Sequence, residues 1–347
     1  MLKWGIIGTG NIAHTFAKAL QLAEKGKLVA VGSRSIETAQ KFAQEFGIDH
    51  SFGSYNELLA FDQVDIVYIS TPHPQHYEIA LSAAKAGKHM LVEKPMAMTE
   101  AHIKSILETA KEHNVFVMEA YMYRCHPQTL EVVKLIQSGA IGQVKLIRAN
   151  FLYDGRPLGP TSRLWINELG GGAIMDIGGY PMSFCRLVAG IANNKSGEYL
   201  GGGANPIKVK ATGYIQPDTN VDEWSNASLE FEGKITAQLF TGIFADSDCS
   251  GEVWGSKGSI KIANLWRPDL AMYGPVRVEF TEYGKETKII PIKQETNLYA
   301  YEADAVADAI AQGHHECKYM NWQDTLGQAH AMDAWRKEIG LKYKEDQ

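Results

Sequence analysis

The stretch LKWGIIGTGNIA, residues 2–13, decides the fold of this chain. A strand pattern over residues 3–8 leads into Gly8-Thr9-Gly10-Asn11-Ile12-Ala13, which has the GxGxxG/A spacing of a dinucleotide site. The first glycine permits a tight turn, the second lets the backbone approach a pyrophosphate, and the small Ala13 allows close packing of helix on strand. The N–H groups and the dipole of the helix then meet the anion. The stretch predicts a Rossmann domain whose cofactor contacts include Gly8, Thr9, Gly10, Asn11 and Ile12.

The same alternation of apolar strand and amphipathic helix continues to about residue 120, as expected of a parallel sheet covered on both faces. We therefore assign residues 1–122 to an NAD(P)-binding Rossmann domain with a doubly wound parallel sheet. The predicted strands are 3–8, 28–32, 50–52, 66–70, 89–93 and 115–119.

The pattern changes after this domain. Between residues 208 and 292 several short alternating runs are separated by Gly, Pro, Asn and Asp, which indicates a largely antiparallel sheet. Helices at about 171–187, 299–312 and 322–337 are expected to cover one face of it. The fold class is thus α/β, with the Rossmann domain followed by an α+β domain over residues 123–347 that has a largely antiparallel open sheet.

Size and composition restrict the function. A length of 347 residues favours two domains, and a net charge of −6 without acidic or basic blocks disfavours nucleic acid and anionic membranes as partners. No run of 18 apolar residues occurs, and the four cysteines lack the spacing of a zinc site or a disulfide framework. We expect a cytoplasmic protein with no metal.

The end of the second predicted strand bears on the choice between NAD and NADP. NAD-binding domains usually place an acidic residue there for the ribose 2′-hydroxyl. This chain has Gly32-Ser33-Arg34, and a hydroxyl and a guanidinium suit the 2′-phosphate of NADP. The alternative is that Arg34 is a solvated charge. We predict NADP, with NAD still possible.

Lys94 is the first candidate for the chemistry. It lies in Glu93-Lys94-Pro95 at the carboxyl end of a predicted strand, where its ammonium would project into the cofactor crevice. Pro95 restricts the backbone of Lys94, and its own peptide bond is a candidate for the cis form. The alternative is a surface lysine paired with Glu93.

Asp176 and Tyr180 are the other candidates, in the run GGGAIMDIGGYP over residues 170–181. Their spacing of four would place them on one helix face, although Gly178, Gly179 and Pro181 predict a kink or break. The three leading glycines indicate close backbone approach, for which the cofactor is a candidate. A free tyrosine has a pKa of about 10, and a nearby Lys⁺ would lower it. The alternatives are a packed Tyr180 and a capping or salt-bridged Asp176.

Five motifs in order resemble the Gfo/Idh/MocA oxidoreductase family, within it the branch of dimeric dihydrodiol dehydrogenases and glucose-fructose oxidoreductases. They are GTGNIA (8–13), STPHPQH (70–76), EKP (93–95), MEAYMYRCHP (118–127) and GGGAIMDIGGYP (170–181). The resemblance implies that Lys94 is the EKP lysine, that Tyr180 is the acid/base and that Asp176 is a supporting carboxylate. Tyr180 argues against inositol dehydrogenases, which use His.

The resemblance also implies further contacts. Thr71, Pro72 and His76 would contact the cofactor, and Arg163 with Trp165 would come from a loop over the nicotinamide. The domain over residues 123–347 would bind the substrate, and its open sheet would form the interface of a homodimer or higher homo-oligomer. The predicted cofactor-binding set is Gly8, Thr9, Gly10, Asn11, Ile12, Ser33, Arg34, Thr71, Pro72, His76, Glu93, Lys94, Arg163 and Trp165.

The predicted function is an NADP-dependent oxidoreductase that transfers hydride between the nicotinamide and a hydroxyl or carbonyl carbon of a sugar, polyol, cyclic diol or dicarbonyl. The alternatives are an NAD-dependent glycosidase of the same fold and a non-catalytic regulator that senses the cofactor. Arg34 disfavours the first, and the joint presence of Lys94, Asp176 and Tyr180 disfavours the second. The substrate, the reaction direction and the release of cofactor in each turnover stay open.

Overall fold

A computed structural model describes residues 1–193, 202–270 and 274–346. The chain forms two compact units. The first consists of Met1–Cys125 with Glu295–Trp322, and the second of His126–Gln294 with Gln323–Gln347. The first unit thus includes a segment, 295–322, that the sequence analysis assigned to the second domain.

The first unit is a six-stranded parallel sheet with the strand order β3-β2-β1-β4-β5-β6. Reversal of the strand order between β1 and β4 is the switch point at which such sheets bind their ligands. This confirms the predicted Rossmann fold. Its strands are β1 (Leu2–Ile7), β2 (Gly26–Gly32), β3 (His50–Phe52), β4 (Ile66–Ile69), β5 (His89–Glu93) and β6 (Val117–Ala120).

Helices on the two faces bury the strands, and β4 is buried along its whole length. Side-chain oxygens of Ser35, Ser54 and Thr99 cap three of the helices by accepting a backbone N–H from the first turn. The helices of this part of the chain are α1 (Asn11–Leu20), α2 (Ile36–Phe46), α3 (Tyr55–Leu59), α4 (His76–Lys85) and α5 (Glu100–Glu112).

The predicted helix 299–312 exists, but its expected place on the second sheet is wrong. The helix α8 (Leu298–Ala311) belongs to the first unit, where it contacts α1 and the 3₁₀ turn Met122–Cys125. The Lys25 ammonium lies 2.6 Å from an Asp308 carboxylate oxygen, and the Lys25 amide donates to Asp304. These contacts join residues about 280 positions apart, which a helical pattern cannot reveal.

The second unit is built on an eight-stranded sheet with the order β14-β13-β12-β11-β7-β10-β9-β8. Neighbouring strands are antiparallel except β7 and β10, which run parallel. This confirms the predicted mostly antiparallel sheet. Its strands are β7 (Val144–Leu152), β8 (Lys208–Ile215), β9 (Asp222–Phe231), β10 (Ile235–Gly242), β11 (Gly251–Gly255), β12 (Gly258–Ile262), β13 (Arg277–Glu282) and β14 (Lys288–Pro291).

Helices cover one face of this sheet. They are α6 (Pro127–Gln137), α7 (Gly179–Asn193) and α9 (Trp322–Ile339). The helix α7 contacts β7 and β10, and the indole of Trp335 on α9 donates to Ser225 Oγ on β9 at 2.8 Å. Along β9 and β10 buried residues alternate with exposed ones. The other face of these strands therefore meets solvent.

Candidate active site

Several predicted cofactor residues follow strands that end side by side at the carboxyl edge of the first sheet. The last residue of β1, Ile7, is aligned with Gly32 on one side and with Ile69 on the other. Hydrogen bonds continue one residue further, from the Gly8 amide to the Gly32 carbonyl and from the Ser70 amide to the Ile7 carbonyl, both 3.0 Å long. The turns that follow β1, β2 and β4 thus start from one edge of the sheet.

The glycine turn has the features that a pyrophosphate needs. Gly8 has a φ of +98°, and a Cβ there would lie 3.2 Å from Ser70 Oγ, so a larger residue would be both strained and crowded. Gly10 is exposed, and a Cβ on it would meet open space. Within the described ranges no side chain caps the start of α1. The backbone N–H groups of this turn therefore fit an anionic cofactor.

At the end of β2, Ser33 is buried and Arg34 is exposed. Burial raises the pKa of Tyr55, and the positive charge of Arg34 partly opposes this, which places the guanidinium near the phenol at the start of α3. The carboxylate of Glu37 accepts a 2.5 Å hydrogen bond from Ser35 Oγ, which lowers the Glu37 pKa. Sequence reasoning missed Tyr55 because no local motif links it to Arg34.

The backbone around Lys94 is anchored on both sides. Glu93 accepts hydrogen bonds from the Tyr68 hydroxyl and, at 3.1 Å, from the Lys94 amide. The Lys94–Pro95 peptide bond is cis, and the Met96 amide donates to Glu119 Oε1 at 2.9 Å. Buried carboxylates at the ends of β5 and β6 thus fix the loop that carries the half-buried Lys94.

His76 was predicted to contact the cofactor, and its imidazole is fully buried. Its Nδ1 lies 2.9 Å from the Pro95 carbonyl oxygen and its Nε2 lies 2.7 Å from the Thr71 carbonyl oxygen. The imidazole therefore joins the loop after β4 to the loop after β5. Contacts of Thr71, Pro72 and His76 with a cofactor stay predictions.

In the second unit the predicted break in the helix is a π-helical turn. Ile174–Gly178 form this turn, which carries Asp176, and α7 follows directly with Tyr180 as its second residue. Asp222, which begins β9, accepts the Ile174 amide at 2.8 Å through Oδ2 and so caps the turn from a distant strand. Asp176 and Tyr180 are both buried, with 6% and 5% of their surface exposed.

Two of the three glycines before this turn, Gly171 and Gly172, lie close against other parts of the protein. A Cβ on Gly171 would lie 2.6 Å from the Leu164 carbonyl oxygen, and one on Gly172 would lie 2.2 Å from Asp222 Oδ1. Gly172 also has a φ of +101°. The close backbone approach was predicted correctly, but at Gly171 and Gly172 it is the protein itself that approaches.

Asp176 receives a hydrogen bond on each carboxylate oxygen. Arg163 Nη2 lies 2.7 Å from Oδ1, and the Tyr153 hydroxyl donates to Oδ2 at 2.7 Å. Burial and the charge of Asp176 raise the pKa of Tyr153 far above its usual range, so the phenol stays protonated and donates. The sequence analysis allowed for a salt-bridged Asp176 but named neither Arg163 nor Tyr153 as its partner. The predicted roles of Arg163 and Trp165 over a nicotinamide stay predictions.

Aromatic rings surround Tyr180. Its ring centroid lies 5.4 Å from that of Phe151, in an edge-to-face arrangement, and 5.7 Å from that of Trp266. Trp266 is fully buried, and its indole donates to the Asn150 carbonyl at 2.7 Å. These contacts fix the direction of the Tyr180 ring. Sequence reasoning did not single out Phe151, which lies near the end of β7.

Two further features concern the described residues only. No group of three or more His, Cys, Asp or Glu side chains there could bind a metal ion, and the four cysteines are free and buried. No helix within those ranges has the length and apolar character needed to cross a membrane.

Family models match both units in sequence. Residues 2–121 match the model described as "Oxidoreductase family, NAD-binding Rossmann fold", and residues 129–261 match the "GFO/IDH/MocA C-terminal domain". The chain belongs to the Gfo/Idh/MocA oxidoreductase family. This confirms the resemblance given by the five motifs, and with it the prediction that the chain is an oxidoreductase with a nicotinamide-dinucleotide domain.

Relatives in this family are named as dehydrogenases. A trans-1,2-dihydrobenzene-1,2-diol dehydrogenase of Danio rerio is 34% identical over 99% of both chains, and that of Homo sapiens is 28% identical over 99% of both. Among solved structures, a 3-ketoreductase from Actinomadura kijaniata in complex with NADP and TDP-benzene is 28% identical, with a TM-score of 0.84 over 97% of this chain and 98% of that one. An aldose-aldose oxidoreductase from Caulobacter crescentus shares the fold, with a TM-score of 0.84 over 98% of this chain and 97% of that one, at 24% identity.

Proposed function

We propose that this family member is an NADP-dependent oxidoreductase that transfers hydride between the nicotinamide and a hydroxyl or carbonyl carbon of a cyclic diol, sugar, polyol or dicarbonyl. The bound nicotinamide supplies or accepts the hydride. Tyr180 takes the proton of the substrate hydroxyl in the oxidation and returns it in the reduction, with Lys94 acting on the same hydroxyl. Asp176 orients the substrate.

The arrangement of Asp176 and Tyr180 carries this proposal. The two residues lie on consecutive helical turns. The Asp176 carboxylate is hydrogen-bonded through both oxygens, and the Tyr180 ring packs against aromatic side chains. A fixed acceptor beside an oriented hydroxyl is what a general acid/base needs to select one substrate hydroxyl. The names of the relatives support a diol or a ketone as the substrate.

The decisive experiment is oxidation and reduction of a panel with both cofactors. The panel contains trans-1,2-dihydrobenzene-1,2-diol, aldoses, ketoses, 1,5-anhydro sugars and dicarbonyls. We expect NADP-dependent turnover of at least one of them. Tyr180→Phe should lower kcat by about a hundredfold or more with NADPH affinity nearly unchanged. Near-normal turnover in that variant contradicts the role of Tyr180.

The role of Lys94 is tested by a double-mutant cycle. Lys94→Met and Tyr180→Phe should each lower kcat/KM strongly, and the double variant should be scarcely worse than the poorer single one, because both residues act on one hydroxyl. Additive losses would show that the two residues act separately. A net release of free NADPH during oxidation also separates this function from a glycosidase that keeps its cofactor.

The preference for NADP is proposed from the end of β2. Arg34 is exposed there beside Tyr55, whereas the nearby carboxylate of Glu37 is bound to Ser35. We expect Arg34→Ala to raise the KM for NADP by about tenfold or more and to leave the KM for NAD unchanged. Equal effects on both cofactors would contradict a 2′-phosphate contact.

We also propose that the uncovered face of the second sheet joins copies of this chain. Tyr214 and Trp224 form a cross-strand pair between β8 and β9, and with Phe240 on β10 they are 44%, 38% and 38% exposed. Clustered exposed aromatic residues are typical of interfaces. Light scattering should show an oligomer that Trp224→Lys dissociates and that Leu22→Lys, a change at an exposed leucine of the first unit, does not. A monomeric wild-type protein would contradict the proposal.

A further inference from the structure

The strand β7 presents two aromatic residues to the helical turn that carries Asp176 and Tyr180. Phe151 lies in β7, and Tyr153 follows it, with its amide donating to the Gly242 carbonyl at 3.1 Å at the end of β10. Residues two apart on an extended strand point to the same side. The strand and its extension thus direct both rings toward one face of the sheet.

Each of the two strand residues contacts one residue of the helical segment. The Phe151 ring packs edge-to-face on Tyr180, and the Tyr153 hydroxyl donates to Asp176 Oδ2.

The hydrogen bonds from Arg163 and Tyr153 reach different oxygens of the Asp176 carboxylate. Each bond fixes one oxygen, so that together they hold the plane of the carboxylate. Removal of the phenol hydroxyl would take away the bond to Oδ2 and leave the bond from Arg163 to Oδ1.

We propose that Tyr153 is a positioning residue of the active site, which acts through Asp176 by fixing the orientation and the negative charge of its carboxylate. This inference rests on the proposed function, in which Asp176 orients the substrate. The family motifs in this sequence do not include residue 153.

Other titratable groups lie around the pair. Arg163 is bonded to the carboxylate. The negative charges of Asp176 and Asp222 contribute to a raised pKa of Tyr343, whose hydroxyl donates to the Gly171 carbonyl at 2.5 Å. These groups are unchanged by a substitution at residue 153. A difference between Tyr153→Phe and the wild type therefore reports the one hydrogen bond.

Tyr153→Phe removes only the hydroxyl. A hydrogen bond to a charged group contributes enough that kcat/KM for trans-1,2-dihydrobenzene-1,2-diol should fall by about 10- to 100-fold, with NADPH affinity unchanged. Tyr283→Phe is the matched control, because Tyr283 is 51% exposed and should leave both quantities unchanged. A Tyr153→Phe enzyme with wild-type kcat/KM would overturn the proposal.

Two readouts separate positioning from a general packing role. Loss of a donor disfavours the charged carboxylate, so the acidic limb of the pH profile of kcat/KM should move to higher pH in Tyr153→Phe. In a double-mutant cycle, Tyr153→Phe should cost several-fold less in the Asp176→Asn background than in the wild type. If the acidic limb of the profile does not move and the losses in kcat/KM are additive, Tyr153 has only a packing role.

A measurement without substrate keeps the two proposals distinguishable. The ¹³C NMR signal of the Asp176 carboxyl, assigned by its loss in Asp176→Asn, should titrate at higher pH in Tyr153→Phe than in the wild type. Absence of turnover with every compound of the panel would refute the proposed function. An unchanged carboxyl titration would refute the role of Tyr153, whether or not turnover is found.

Discussion

Ionisation of Asp222 should make the stability of the second unit fall as the pH rises into the alkaline range. Asp222 is fully buried, its Oδ2 accepts the Ile174 amide at 2.8 Å, and within the described residues its Oδ1 has no hydrogen-bond partner. Burial raises its pKa to about 8, against the opposing effects of backbone hydrogen bonds and the nearby Arg336. The carboxyl is therefore mostly neutral at pH 7 in the folded chain.

The direction of this pH dependence is set by how many protons the folded and the unfolded states bind at Asp222. An unfolded aspartate has a pKa of about 3.9, so above pH 5 the folded state binds more protons at this site than the unfolded state. The favourable contribution of the neutral carboxyl is complete below about pH 4 and is lost as pH rises through about 8. Between pH 7 and pH 9 the loss from Asp222 alone is about 1.4 kcal/mol.

Asp222→Asn is the perturbation that isolates this contribution. Asparagine keeps an oxygen acceptor for the Ile174 amide and cannot ionise. Urea unfolding at pH 7, 8 and 9 and constant ionic strength should show the wild type losing about 1.4 kcal/mol more than the variant, since all other titrating groups are shared. Asp218→Asn, at an exposed position, should follow the wild type.

Hydrogen exchange gives a local check. The amide of Ile174 should exchange faster in the wild type than in Asp222→Asn at pH 9, and the difference should shrink at pH 7. If wild type and variant lose stability in parallel from pH 7 to pH 9, Asp222 is already ionised in the folded state and the reasoning from burial is refuted.

Three further predictions concern single contacts. Arg186→Met should lower the free energy of unfolding by about 3–5 kcal/mol, measured by urea titration, because it removes the positively charged partner of the Asp324 carboxylate from a fully buried ion pair. Gly172→Ala should cost about 2–4 kcal/mol in the same assay, because its Cβ would lie 2.2 Å from Asp222 Oδ1 at a φ of +101°. Gly8→Ala should weaken NADPH binding by about tenfold, measured by fluorescence titration, and an unchanged affinity would contradict the assignment of the turn.

Local patterns were sufficient for the elements of the fold. The strand predicted at 89–93 is observed as His89–Glu93, and the one at 28–32 is the end of Gly26–Gly32. Buried parallel strands are short apolar runs between helices, and the glycine turn fixes where the first helix begins, so few alternatives compete. The limits shift by a few residues because helix ends and strand ends depend on tertiary contacts.

The prediction that α8 covers the second sheet was wrong for a different reason. An amphipathic pattern shows that a helix buries one face, but it does not show against which partner. The partner was decided by contacts such as that of Lys25 with Asp308, and no residue type in the segment distinguishes this contact from an ordinary surface pair. Because the segment 295–322 follows the strands of the second sheet in the chain, the sequence analysis assigned it to that sheet. In the structure it belongs to the first unit.

In the candidate site, too, local sequence patterns indicate some residues but not the partners that they meet through the fold. Asp176 and Tyr180 were singled out as candidates because glycines and a proline around a polar pair are unusual in a helix. Tyr153 was not found, because its partner lies 23 residues away, beyond a loop. Its strand position gave it the right face, but the alternation that predicts a face cannot say which of several aromatic residues meets a carboxylate.

The glycine run predicts close backbone approach, but glycines by themselves do not identify what approaches. Absence of side chains at residues 171 and 172 does mean close approach, and both a cofactor and the protein can be what approaches. Here the carbonyl of Leu164 and the carboxyl of Asp222 fill that space, and each lies beside a segment that fixes Asp176: the loop carrying Arg163, and the cap on Ile174. The glycines therefore serve the geometry of the carboxylate, so their substitution should disturb substrate orientation before cofactor binding.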